Sequence, residues 1–311
     1  VNDMVRIPGG TFRMGSEEFY PNERPAHERT VGDFEIDRYE VTNEDFTAFV
    51  AATGYVTVAE RPMNAADYPG VAPEDLIPGG LVFTPTSGPV DLNDWRQWWR
   101  WVPGAQWRHP RGPGSSIEDR MRHPVVQVSF EDASAYAAWA GKRLPTEVEH
   151  EYAARGGSAD TAFAWGDEPY PGGAALANSW IGAFPYDDRG GFDGGTAPVG
   201  SFPPNGYGLF DMIGNVWEWT SDFYTTRHLV PGQQSVDPEK RANLLSVASA
   251  EPGSRIPRRV LKGGSHLCSP DYCLRFRPAA RSPQSDDSAT THIGFRCARD
   301  VPPRTAPKVR P

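Results

Sequence analysis

Lys262-Gly-Gly-Ser-His-Leu-Cys-Ser-Pro-Asp-Tyr-Cys-Leu-Arg-Phe-Arg277 places two of the chain's three cysteines, Cys268 and Cys273, on either side of a Ser-Pro-Asp turn. An offset of five sends side chains to opposite faces of a strand and separates them by more than a quarter turn on a helix. Neither regular element presents both sulfurs together. Pro270 presets a turn value of φ and offers no N–H to a ladder, so Ser269-Pro270-Asp271 reads as a reversal that folds the thiols towards each other.

On spacing alone, three uses of the pair stand level. A structural disulfide would close a very short loop, gain little chain entropy, and be opposed in a reducing compartment. Buried inert thiols match the general habit of free cysteine, although the turn argues for partial exposure. A bis-thiolate metal site would supply two soft ligands, too few for structural zinc and suited to Cu(I). Cys297 is left over from an odd count and reads as a small buried hydrophobe.

The composition bounds the rest. At 311 residues the chain can bury a core without covalent staples. A formal charge of −9 excludes the basic stripe that nucleic acid rewards, and suits a basic or arginine-bearing partner instead. Val1–Gly10 lacks the basic start and apolar core of a leader, and no apolar run is long enough to span a membrane. A cytoplasmic monomer with reduced thiols and no membrane partner is therefore expected. The 32 glycines and 31 prolines, about a fifth of the chain, are spread throughout, so long loops packed by abundant aromatic residues are expected. Without an interdomain linker or repeat, residues 1–311 read as one α+β domain with short helices in the middle and paired, strand-like ends.

Outward from the cysteines, local signals place the elements. Met4–Met14 alternates around Pro8-Gly-Gly10 and reads as an opening hairpin; the glycines lack the Lys-Ser/Thr of a phosphate loop. Phe34–Val41 alternates as a strand. Thr42 and Asp45 then open a helix with Phe46, Phe49 and Val50 on one stripe, stopped by Gly54. His123–Ser129 reads as a strand running into a helix capped by Ser129 and Asp132 and ended by Gly141. Thr146 and Glu149 start another helix that Gly156-Gly157 ends. Its Glu147, Glu149, His150 and Glu151 lack the second histidine of a zinc protease and read as a solvated acidic helix start. Trp95, Trp98, Trp99, Trp101 and Trp107 are read as packing under a long loop in preference to a sugar platform. In Asp211-x-x-Gly214-x-Val216-x-Glu218, carboxylates bracket a glycine turn as calcium requires, and carboxylates satisfied by backbone donors stand as the equal alternative.

Lys142-Arg-Leu-Pro-Thr-Glu147, Asn205-Gly-Tyr-Gly-Leu209, Gly214-Asn-Val-Trp-Glu-Trp219, Lys262-Gly-Gly-Ser265 and Gly294-Phe-Arg-Cys297 resemble the signatures of the formylglycine-generating enzyme family, the sulfatase-modifying factors. The resemblance covers nearly the whole chain. The first four motifs are shared with relatives such as sulfoxide synthases, while the Cys-x-x-x-x-Cys turn with Ala279-Ala-Arg281 and Asp287-Ser288 is specific to the catalytic branch. The resemblance implies a C-type-lectin-like α+β fold of low regularity. It implies a copper-dependent oxidase that uses O₂ to convert the cysteine of a Cys-x-Pro-x-Arg motif in an unfolded sulfatase to Cα-formylglycine. Cys268 and Cys273 are implied to hold Cu(I), with the substrate cysteine as a third thiolate. The substrate β-carbon then loses hydrogen, and the thioaldehyde hydrolyses. Ser265, Trp217 and Tyr272 are implied to position substrate or oxygen, with core packing the alternative for the two aromatic residues. Arg281, Asp287 and His292 are implied to line the peptide groove, a structural salt bridge being the alternative for Arg281. Structural calcium is implied at Asp211, Gly214, Val216 and Glu218, and a second ion would begin at the Asn178 and Ser179 carbonyls. Gly190-Gly-Phe192 replaces the usual Asp-Gly-Phe of that second site. Ser269 and His292 also depart from the family, which often has histidine and asparagine there. The rival readings are a silent sulfatase-binding paralogue, an iron-dependent sulfoxide synthase, which expects a further helical domain, and a lectin-like binder.

Overall fold

The computed structural model describes residues 3–158, 160–230 and 238–301. Strand β1 (Met4–Ile7) pairs antiparallel not with β2 (Gly10–Met14) but with β4 (Phe34–Asp37), whereas β2 pairs with β3 (His27–Val31). The expected opening hairpin is therefore a crossing between two sheets. A Cβ on Gly9 would stand 2.6 Å from the Val31 carbonyl oxygen, so the Pro-Gly-Gly segment lets the chain pass close to the end of β3. The strand expected over Phe34–Val41 ends at Asp37, and α1 (Asn43–Thr53) follows with the Thr42/Asp45 capping box and the left-handed Gly54 that its sequence predicts. Phe46 and Phe49 turn inward, and the Phe46 ring packs within 5.1–6.5 Å of Trp107, Tyr136 and Phe295. Each such ring contributes roughly 1.5–3 kcal/mol of burial.

β5 (Gly79–Phe83) and β6 (Trp99–Pro103) form a separate two-stranded ribbon. The chain then reaches α2 (Phe130–Trp139) and α3 (Glu147–Arg155), each opened by its expected capping box. His123–Ser129 is not a strand. Gln127 turns to φ 59°, and its side-chain amide donates to the Leu81 and Pro110 carbonyls, so this buried segment threads between loops instead of joining a ladder. Strand β7 (Trp217–Phe223) is the spine of a four-stranded sheet, followed by α4 (Pro238–Ser249), β8 (Arg258–Lys262), β9 (Arg281–Ser285) and β10 (Ile293–Gly294) in the order β10-β7-β8-β9. The last strand, β11 (Ala298–Asp300), pairs antiparallel with β4. The two ends of the chain thus meet on a shared strand rather than on each other. Among the described residues, four α-helices, four small sheets and long loops make the loop-rich α+β fold expected.

The tryptophans divide. Trp98 and Trp107 are buried, in separate clusters, while Trp95 and Trp101 are exposed. Cys297 is buried and unpaired, as its reading requires.

Candidate active site

The loop between β8 and β9 carries both thiols. The Ser269 carbonyl accepts from the N–H groups of Tyr272 (3.2 Å) and Cys273 (2.8 Å), and the Ser269 hydroxyl accepts from Asp271 N–H (3.3 Å). That reversal brings the two Sγ atoms to 3.7 Å, far beyond the ~2.05 Å of a disulfide, and both cysteines are free. Cys268 is 2% exposed, whereas Cys273 is only partly covered and Tyr272 is 37% exposed. Trp180 N–H donates to the Cys268 carbonyl (2.9 Å), and Ser265 N–H points at Cys268 Sγ (3.4 Å). The glycines of Lys262-Gly-Gly-Ser265 allow this approach. Gly264 has φ 76°, and a Cβ there would lie 2.4 Å from the Arg275 carbonyl oxygen.

One proton is shared unequally by the pair. Burial opposes charge on Cys268, but the hydrogen bond from Cys273, the Ser265 N–H and the Arg275 guanidinium bring its thiol below the usual value. The hydrogen bond to Cys268, then burial, push Cys273 well above it. Cys268 is therefore the thiol of the pair that ionises first, and Cys273 the one that holds its proton longer. Burial and the two thiols push Tyr272 up to about 12, so its phenol stays protonated at neutral pH. A second phenol, Tyr20, also lies against Cys273. Its hydroxyl accepts from Leu274 N–H (3.1 Å), burial and Cys273 raise its pKa, and the Arg275 guanidinium lies 4.2 Å over its ring. Nothing around Phe19-Tyr20-Pro21 in the sequence signals this, because 248 or more residues separate it from the thiols and only the fold closes the gap.

Ser265, Cys268, Tyr272 and Cys273 thus share one turn, and the other expected site residues distribute around and away from it. Trp217 is buried on β7, its N–H bonded to the His292 carbonyl (2.9 Å). The His292 ring lies 4.7 Å from Trp99 and bonds Thr290 Oγ1 through Nδ1 (2.8 Å); burial, then His266, push it down to about 3, leaving it neutral. Arg281 is 1% exposed and its guanidinium is fully engaged, with a double bond to Glu147 (2.7 and 3.0 Å) and further bonds to the Asn22 and Thr225 carbonyls. This is the salt-bridge geometry, beside a cavity that Arg281 lines together with Glu147, His228 and Arg259. Asp287 lines a different, 660 Å³ cavity and accepts a hydrogen bond from Tyr68 Oη.

The acidic start of α3 is not solvated. Glu147, Glu149, His150 and Glu151 are all buried, and each carboxylate has a cationic partner: Arg281, Arg143 and, for Glu151, both Lys262 (2.9 Å) and Arg155 (2.9 Å). Capping and stop signals placed these residues on α3 correctly, but of the four cations only Arg155 lies on the helix, while Lys262 and Arg281 come from distant β8 and β9 and Arg143 from the turn before it. His150 Nε2 lies 3.1 Å from Glu218, whose carboxylate also takes a double bond from Arg296.

Around Asp211–Glu218 the motif residue Asn215 is a hub with φ 54°. Its N–H donates to the Asn178 carbonyl, its side chain bonds Glu40, Ala197 and Asn178, and its carbonyl accepts both N–H groups of His266. The turn is thereby tied to the cysteine loop. Asp211 accepts from Gly200 N–H through Oδ2 (2.7 Å), while Oδ1 is buried without a partner; burial, and then Glu218, push its carboxyl up to about 6. Glu40, Asp211 and Glu218 set three carboxylates around Arg296, and the unpartnered Asp211 Oδ1 is an oxygen donor of the kind a hard cation takes. The second calcium set does not fit. Position 190 has no carboxylate, the Asn178 carbonyl is taken by Asn215, and nearby Asp188 is turned to backbone donors, accepting from the N–H groups of Ile181, Gly190 and Gly194.

Taken together, fold and site define an α+β, loop-built protein that presents two unbridged thiols in one partly open turn. Residues 1–301 match the sulfatase-modifying factor enzyme 1-like domain, and the chain belongs to that family. It is 58% identical to a protein named formylglycine-generating enzyme from Mycobacterium tuberculosis, over 96% of this chain and 98% of that one. A namesake from Thermomonospora curvata is 48% identical over 96% and 93%. The inactive C-alpha-formylglycine-generating enzyme 2 of Bos taurus is 40% identical over 95% and 87%, so the family includes a member named as silent. Among solved structures, PvdO from Pseudomonas aeruginosa superposes with a TM-score of 0.61 at 25% identity, covering 96% of this chain and 94% of that one.

Proposed function

We propose that this protein oxidises the cysteine of a Cys-x-Pro-x-Arg motif in an unfolded sulfatase to Cα-formylglycine, with O₂ as oxidant. The observation that carries the reading is the pair of unbridged sulfurs 3.7 Å apart at the edge of a half-exposed turn. Their chemistry fits Cu(I): two soft donors, no third His, Cys, Asp or Glu completing a ligand group among the described residues, and one side left for a substrate thiolate. When bound there, Cu(I) supplies the activation of oxygen at an open coordination position.

The remaining steps belong to this chain's residues. Cys268 is the sulfur that loses its proton more readily, and Cys273 Sγ gives up its own as metal binds. Ser265 and Trp217 fix the wall behind Cys268, and Tyr272 presents a protonated phenol beside the sulfurs, where it can donate to oxygen or to the incoming thiol. His292, neutral and held by Thr290 and Trp99, would meet the polypeptide near the thiols, and Asp287 would meet only a part of it that extends to its separate cavity, while Arg281 keeps supporting segments together. An enzyme of charge −9 suits an arginine-bearing motif. A calcium ion held by Asp211, Glu218 and the Gly214 and Val216 carbonyls would stiffen the turn that Asn215 ties to the cysteine loop. Among the described residues no helix is long and apolar enough to cross a membrane; a monomer in a reducing cytoplasm is the setting this reading gives to the free thiols.

The test is to incubate Cu(I)-loaded protein with a Cys-x-Pro-x-Arg peptide and O₂ and follow the thiol-to-aldehyde mass change. Product that disappears in Cys268→Ala and Cys273→Ala supports the oxidase. Absence of product from the intact protein favours the silent reading.

A further inference from the structure

The tryptophan-rich segment before β6 was expected only to fill space, yet its rings grip the two residues that flank the thiols. Tyr272 lies flat on Phe184, with centroids 4.4 Å apart and planes 3° from parallel, and Trp98 stands edge-on to both, at 5.7 Å from Tyr272 and 5.4 Å from Phe184. Trp180 packs on Phe184 at 5.2 Å, and its own N–H holds the Cys268 carbonyl. On the other side Phe83 touches Phe184, Trp180 and Trp99, and Trp99 covers His292. Phe83, Trp98, Trp180, Phe184 and Leu267 form a hydrophobic cluster distinct from the main core. A ring covered on one face and one edge keeps a single remaining approach, and Tyr272 is 37% exposed along it.

We infer that Trp98 and Phe184 are positioning residues for Tyr272, a clamp that fixes the phenol ring beside the Cys268–Cys273 pair. The inference rests on the oxidase reading for its kinetic consequence but not for its geometry. A tyrosine in a solvent-edge turn would otherwise sample several χ1 wells, and a displacement of about 1 Å at a reacting group can cost on the order of a hundredfold in rate. The same cluster joins the Cys268 carbonyl, Tyr272 and His292, so the clamp sets all three from one packed unit.

The test compares Trp98→Ala, Trp98→Phe and Phe184→Ala with Trp107→Ala, which empties an equally buried tryptophan site in the main core. In Cu(I)-free protein with labelled tyrosine, the ring signals of Tyr272, assigned by their loss in Tyr272→Phe, should carry the ring-current shift of a stacked phenylalanine. They should move in Trp98→Ala and Phe184→Ala and stay in place in Trp107→Ala. With the peptide, Trp98→Ala should lower kcat about tenfold or more with little change in KM, and Trp98→Phe should recover most of it. Unmoved Tyr272 signals in both clamp variants, or a kcat loss no larger than that of Trp107→Ala at the same loss of Tm, would overturn the clamp. Full activity of Tyr272→Phe would instead remove the catalytic reading of Tyr272 and leave the clamp to the ring signals alone.

Discussion

At the residue scale the most consequential quantity is the proton shared by Cys268 and Cys273. With Cys268 below and Cys273 above the usual thiol value, a limiting alkylating reagent at pH 7 should modify one sulfur per molecule. Cys273→Ala should remove the hydrogen bond that favours ionisation of Cys268 and slow its alkylation, as mass mapping against pH would measure; unchanged reactivity would refute the sharing. Asp211 makes a second residue-scale case. Its folded value of about 6 exceeds the ordinary aspartate value of 3.8, so its favourable contribution is complete below 3.8 and is lost as pH rises through 6. Metal-free Asp211→Asn should therefore be more stable than the parent at pH 8, by up to about 3 kcal/mol, and indistinguishable from it at pH 3.5. Calcium should raise the parent's Tm at pH 8 and leave the variant's unchanged. The cysteine turn was legible in the sequence because proline and serine chemistry is local. Tyr20 was not, since its neighbourhood with Cys273 exists only after the chain closes.

At the element scale, α3 shows what periodicity can and cannot say. Its boundaries follow from Thr146, Glu149 and Gly156, all local signals that the structure reproduces. Its acidic face, however, is buried against β8 and β9, because Lys262 and Arg281 arrive there as counter-charges. Glu151→Ala would leave Lys262, which is fully buried, short of its nearest carboxylate and should cost about 3–5 kcal/mol in denaturant unfolding. A loss below 1 kcal/mol would mean that Glu147, 4.0 Å from Lys262, compensates. The failed hairpin at Met4–Met14 has a related cause: alternation marks each strand but does not choose its partner, and β4 offered both terminal strands a deeper place.

Across the whole molecule, buried histidines make acid the weak direction. Burial first, with nearby cations adding, holds His228 and His266 down to about 4, and burial and His266 hold His292 down to about 3, against the ordinary histidine value of 6.5. A depressed histidine binds its proton more weakly when folded, so stability should be full above pH 6.5 and fall as pH drops towards 3. Glu147 and Glu151, held down to about 2 by their cations against the opposing effect of burial, add a second loss between about 4.5 and 2. Below pH 6, where Asp211 is already protonated, equilibrium unfolding in urea should show stability falling towards pH 3; a maximum near pH 4 would contradict the neutral histidines. What the sequence determined by itself was local: the caps and ends of α1, α2 and α3, the reversal between the cysteines, the loop-rich α+β composition and, through its motifs, the family. The tertiary structure alone decided which strands pair, which cations answer the acids of α3, and that Trp98 and Phe184 close on Tyr272. The rings meet Tyr272 from 88 and 174 positions away, the cations of β8 and β9 reach α3 over 111 and 134, and no local propensity encodes a partner at such distances.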